Sequence, residues 1–159
     1  MIFIHVSAGG NSGTLENIAI AAVTGLGVTA ARQVLIYSWS DFKESTDGAN
    51  SQILLPLSGF MEMLVVASLP AVSEEMLFRW ALIPAIYPDW RGAFISGIVF
   101  GILHLNGGRN AAFALWASII GCLYGSLYLH SEGSLIVPLL AHAAANISSA
   151  QVWINSKSR

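Results

Sequence analysis

Charge is what this sequence most lacks. Only 10% of its 159 residues are Asp, Glu, Lys or Arg, while 55% are hydrophobic. A soluble domain carries about 25% charged residues, so the chain has too few for a water-facing surface of its size. A mean hydropathy of +0.65 agrees. The net charge is -2 and no basic run is present. That excludes nucleic acid as a partner, because phosphate contacts need clustered Lys and Arg. A single cysteine, Cys122, excludes an internal disulfide and reads as a small packing residue in an apolar stretch. The N-terminus lacks the basic region that precedes a cleavable signal, so Met1 to Gly13 reads as a short lead-in. Alternation of period two is missing as well, and open strands are not viable in lipid.

What is present is a series of apolar runs separated by polar turns. A spanning helix needs about 20 mostly apolar residues. Asn17 to Trp39 is the first such run, interrupted by Arg32. Asp41 to Asn50 is polar throughout and is expected as a solvated loop. Ile53 to Val72 is the second run, with Glu62 as its one charge, and helical composition continues through Ser73 to Trp80. Pro84 and Pro88 are expected to end it. Ala93 to Leu105, Ala111 to Leu129 and Ser134 to Ile154 follow, separated by turns at Asn106–Asn110 and His130–Gly133. The expected fold class is all-α, a polytopic transmembrane helix bundle of about five spans. Residues 1–50 would hold the lead-in, the first membrane helix and the polar linker. Residues 51–155 would form the membrane core.

Two small-xxx-small motifs, Gly97 to Gly101 and Gly121 to Gly125, allow helix backbones to approach closely in lipid. His104 shares the face of Gly97 and Gly101, so that face is expected to pack on protein.

Ionisable residues at membrane depth are costly and usually face the bundle interior. Glu74 and Glu75 are adjacent, about 100° apart on a helix, so only one points straight inward. Glu75 and Arg79 are spaced i,i+4, the favourable order for an ion pair. Glu74 then reads as a general base, with Glu75 and Arg79 anchoring the helix; the bland alternative is a surface helix entering water. His104 closes an apolar helix, where it is either functional or a cap. His142 and Asn146 share a helix face among alanines, as reactive groups or as interhelical hydrogen-bonding glue.

Together these residues suit hydrolysis. A carboxylate in a low-dielectric site acts as a base on water. Histidine shares that water, and histidine with asparagine donates to a developing oxyanion. Glu plus two His is also a zinc ligand set. Glu74, His104 and His142 are therefore the candidate metal ligands and zinc the candidate ion, although the HExxH signature is absent. Glu62 is expected to pair with Arg32 or Arg79. His5 and His130 are expected to face solvent. Arg109, with Asn106 and Asn110, is expected to hold its loop or meet a lipid head group. The five tryptophans read as belt or packing residues.

Glu74-Glu75-x-x-x-Arg79, Phe100-x-x-x-His104 and His142-x-x-x-Asn146 together resemble the motifs of the CAAX-protease and bacteriocin-processing (CPBP, or Abi) intramembrane proteases. The resemblance runs from Leu57 to Gln151, and the chain has fewer N-terminal spans than most members. It implies that Glu74 and His104 activate water, that His142 and Asn146 stabilise the oxyanion, and that Glu75, Arg79 and Phe100 support them. It implies a membrane-associated peptide or protein substrate in a lipid bilayer, and either a metal-bound or a metal-free mechanism. Phe78 to Leu82 and Gly107 to Asn110 look most like the family's plant plastid branch, which implies a chloroplast thylakoid location. A second reading keeps the fold as a non-proteolytic scaffold. A third, a transporter, has no inverted repeat behind it.

Overall fold

The computed structural model describes residues 11–157. Helices α1 (Asn11–Ser38) and α2 (Ser40–Leu54) come first. Helix α3 (Phe60–Glu75) then runs without a break through a π-helical segment, Met76–Leu82, into α4 (Ile83–Ile86). Helices α5 (Trp90–Leu103), α6 (Ala111–His130) and α7 (Ile136–Lys157) complete the order, and no strand occurs among the described residues. The lead-in reading of Met1 to Gly13 and the reading of His5 lie outside, or at the margin of, the described residues.

Two helical segments, Gly13–Ser38 and Ala111–His130, are long and apolar enough to cross a membrane; Trp90–Leu103 is apolar but shorter. Many large apolar side chains lie on the outside, including Val23, Leu26 and Val34 on α1 and Leu115 and Ile119 on α6.

Glycine governs the closest helix pairs. Gly97 lies against the backbone of Cys122, and Gly101 against Ala114 and Ser118. Reciprocally, Gly121 meets the Cα of Gly97, and Gly125 meets Ala93. The two small-xxx-small motifs thus face each other across α5 and α6, as close packing in lipid requires. Gly25 does the same for α1 against Ala141 and Ala144 of α7. There the hydroxyl of Thr29 also lies 2.6 Å from that of Ser148.

The segment expected as a solvated loop is a helix. Phe42, Ser45, Thr46 and Ala49 form the buried face of α2, while Lys43 pairs with Asp47 on the other side at 2.8 Å. The second Asp47 oxygen accepts from Trp153 Nε1 at 2.8 Å, fastening α2 to α7. The expected run from Ile53 to Val72 is likewise divided. The chain leaves helix after Leu54 and re-enters it at Phe60, around Pro56. Pro84 does not end its helix: it lies in α4, which follows the π-helical segment directly, and helix continues to Ile86. The break comes at Tyr87, extended as a residue before proline tends to be.

Glu62 does not pair with Arg32 or Arg79. Its carboxylate accepts from the Ser58 backbone N–H at 2.8 Å and from the Ser58 hydroxyl at 2.6 Å, closing the first turn of α3. Asn110 caps α6 by accepting from Phe113 N. It also donates to the Asp41 carbonyl at 2.7 Å, so the turn after His104 is tied to α2. His130 is exposed at the end of α6. Of the tryptophans, Trp153 is buried while Trp80 and Trp90 are exposed.

Candidate active site between three helices

The polar residues read from the sequence converge. Glu74 and Glu75 end α3, Arg79 lies in the π segment, Phe100 and His104 end α5, and His142 and Asn146 lie on α7. Glu75 and Arg79 are fully buried and bonded at 3.0 Å, the ion pair expected from their spacing. Arg79 also donates to the Gly121 carbonyl at 2.9 Å, anchoring the pair to α6. A π-helical segment beside such a site is a common arrangement, and the Ser96 hydroxyl supports it by donating to Phe78 O at 2.9 Å.

Oε1 of Glu75 serves a second partner, lying 2.8 Å from Nδ1 of His142. An ionised carboxylate only accepts, so Nδ1 carries the hydrogen and Nε2 is turned the other way. Nε2 faces Glu74, 3.7 Å from Oε2. His104 is oriented by a similar device. Its Nδ1 lies 2.7 Å from the Phe100 carbonyl, which leaves Nε2 facing Oε1 of Glu74 at 4.0 Å. Glu74, 26% exposed, thus stands between two imidazoles drawn from two other helices.

Aromatic rings hold these groups in place. Phe100 lies 4.4 Å from the His104 ring and 6.2 Å from the His142 ring, centroid to centroid. Tyr124 stacks on His142 at 4.8 Å, and the Arg79 guanidinium lies over the rings of both Phe100 and Tyr124. Sequence reasoning missed Tyr124. The available signal was a polar aromatic residue within the Gly121 to Gly125 motif of an uncharged helix.

A cavity of about 300 Å³ opens onto Glu74, His104, His142 and Asn146. The Asn146 amide donates to Ala67 O at 3.1 Å, which leaves its second N–H free. Oε2 of Glu75 and Nε of Arg79 are buried with no hydrogen-bond partner among the described residues.

The donor types at Glu74, His104 and His142 suit zinc, and their spacing is somewhat wider than that of bound ligands. Ligands 2.0–2.2 Å from a tetrahedral zinc sit roughly 3.4 Å apart, less than the 3.7 and 4.0 Å found here. Among the described residues no group of three or more His, Cys, Asp or Glu side chains has the arrangement of a metal site.

Fold and site together define an all-helical protein with a carboxylate–imidazole centre enclosed between apolar helices. A family model described as type II CAAX prenyl endopeptidase Rce1-like matches residues 56–148, more than half of the chain, and the chain belongs to that family of integral membrane proteins. Glu74, Glu75, Arg79, His104, His142 and Asn146 all lie within the matched segment. No curated protein and no solved structure shows a match.

Proposed function

We propose that the protein is an intramembrane endopeptidase in which Glu74 and His104 activate a water molecule. The family supports a CAAX-protease-like activity at the coarse level. The observation that carries the finer reading is the placement of Glu74 opposite Nε2 of His104 at 4.0 Å, an acceptor when the ring is neutral with its hydrogen on Nδ1. A water donating one hydrogen to each of two acceptors at about 2.8 Å bridges a gap of roughly 4.4 Å. The gap here suits such a water, whose oxygen lone pairs are then free to attack.

The steps follow from the residues. The water oxygen bonds to the peptide carbonyl carbon as its proton passes to Glu74. Negative charge collects on the former carbonyl oxygen, where the free N–H of Asn146 donates to it. His142 donates from Nε2 only as the imidazolium, because its Nδ1 hydrogen is committed to Glu75; the anionic Glu75 and the oxyanion itself offset that charge. Glu74 then returns the proton to the leaving amine as the carbon–nitrogen bond breaks. Glu75 and Arg79 keep His142 in register. No step is routed through a metal.

The substrate class is a membrane-associated peptide, and a prenylated C-terminal peptide is the one the family description suggests. The assay is cleavage of such a peptide by protein reconstituted in vesicles, with His104→Ala as the comparison. Full activity in His104→Ala defeats this mechanism. A five-span arrangement would use α1, the α3–α4 rod, α5, α6 and α7, of which α5, at 14 residues, is shorter than a full span. A thylakoid location is supported only by the plastid-like segments Phe78 to Leu82 and Gly107 to Asn110, and membrane fractionation tests it.

A non-proteolytic scaffold is the second reading. Its support is that Asn146 and Glu75 also bind groups of neighbouring helices, as interhelical glue does. Full complementation of a null strain by Glu74→Gln would favour it.

A further inference from the structure

Two arginines line the cavity with no ion pair to a described residue. Arg32 comes from α1 and Arg109 from the turn before α6, and both line the space shared by Glu74, His104 and His142. Neither forms a hydrogen bond or ion pair with a described residue. Their guanidinium carbons lie instead over one ring, that of Phe113, at 5.8 Å for Arg32 and 4.7 Å for Arg109. The shared ring limits how far apart the two cations are. Elsewhere in the site the positive charge is matched: Arg79 has Glu75. The cavity wall therefore carries two arginines against one carboxylate, Glu74. Cations that face a membrane-protein cavity in excess of its carboxylates mark ligand or substrate paths, and a guanidinium fork matches carboxylate geometry.

We infer that Arg32 and Arg109 form a carboxylate subsite that takes the free C-terminal carboxylate of the peptide being cleaved. This rests on the endopeptidase reading, under which the occupant is a peptide. At about 300 Å³ the cavity is at the small end of ligand pockets, so it suits a short chain end. Val28, Ile53, Val66 and Ile120 in its lining suit apolar side chains on that end. Holding the carboxylate at Arg32 and Arg109 sets which bond lies against Glu74. The subsite thus fixes the distance of the cut from the C-terminus. Arg32 lies outside the segment matched by the family model, so this part of the specificity belongs to the chain's own first helix.

The test uses one fluorogenic prenylated peptide made twice, with a C-terminal carboxylate and with a carboxamide, and full-length protein in neutral phosphatidylcholine vesicles. Wild type is expected to cleave the acid at least about tenfold more efficiently than the amide. Arg32→Gln and Arg109→Gln are expected to raise KM for the acid by a similar factor while leaving the amide unchanged. Arg109→Lys, which keeps the charge and loses the fork, should retain an intermediate preference and shows that the site is still folded. Equal loss on both peptides, or no acid preference in wild type, overturns the subsite while leaving the endopeptidase standing. Acid-selective thermal stabilisation without any cleavage keeps the subsite and overturns the endopeptidase. Stabilisation by added phosphatidylglycerol that Arg32→Gln abolishes, with no acid preference, assigns the pair to lipid phosphate and also overturns the proposal.

Discussion

Nδ1 of His142 lies 2.8 Å from Oε1 of Glu75, a residue 67 positions earlier on another helix. The same oxygen holds Arg79 at 3.0 Å. One buried carboxylate therefore orients an imidazole and compensates a guanidinium. Removing one partner of a buried ion pair costs about 3–5 kcal/mol, because the other charge is left stranded. We expect Glu75→Gln to destabilise the bundle by about that much, measured by unfolding in mixed micelles, and to lose activity with it. Unchanged stability would mean that Arg79 is not held as described.

Gly101 packs against Ala114 and Ser118 with no room for a Cβ. Gly101→Ala should force α5 and α6 apart and cost about 1–3 kcal/mol, the usual cost of overpacking. Because His104 closes α5, the same shift should lower cleavage. Gly27→Ala is the control, since nothing lies near a Cβ there, and it should be nearly neutral in the same unfolding assay.

Phe42 is fully buried and stacks on Phe113 at 5.9 Å. Phe42→Ala should cost about 3–5 kcal/mol. A solvated loop in this place would make the substitution nearly silent, so the unfolding midpoint in micelles discriminates directly.

The apolar helices were legible because lipid demands long uncharged runs, and α6 matches its expected range to within a residue. Helix α2 was not legible. Its buried face is made of Phe42, Ser45, Thr46 and Ala49, so three small or polar residues hide the helical period among charged neighbours. Glu62 was misassigned because a nearby serine satisfies it locally, which a search for distant arginines overlooks. Spacing along the chain marked Glu74, His104, His142 and Asn146 individually. The bond from His142 to Glu75 and the shared cavity of Arg32 and Arg109 depend on how helices dock, and no local pattern encodes that. The π-helical turn at Met76–Leu82 left no signal in composition either.

Glu74 stands 4.0 and 3.7 Å from the two imidazole nitrogens, and the proposed mechanism places a bridging water there with no metal. Purified protein is expected to carry well below one equivalent of zinc, and a chelator should leave cleavage unchanged. One equivalent of bound zinc, whose removal abolishes cleavage and whose return restores it, would contradict the water-only mechanism.

The most direct measurement compares wild type and Glu74→Gln in the same vesicles, on one prenylated peptide, with the unfolding midpoint of each recorded. The proposal expects product from wild type, a rate at least about 10²–10⁴-fold lower from Glu74→Gln, and matching midpoints, because Glu74 is not part of the buried ion pair. Equal cleavage by the two proteins would remove Glu74 from the chemistry, and no cleavage by wild type would remove the enzyme.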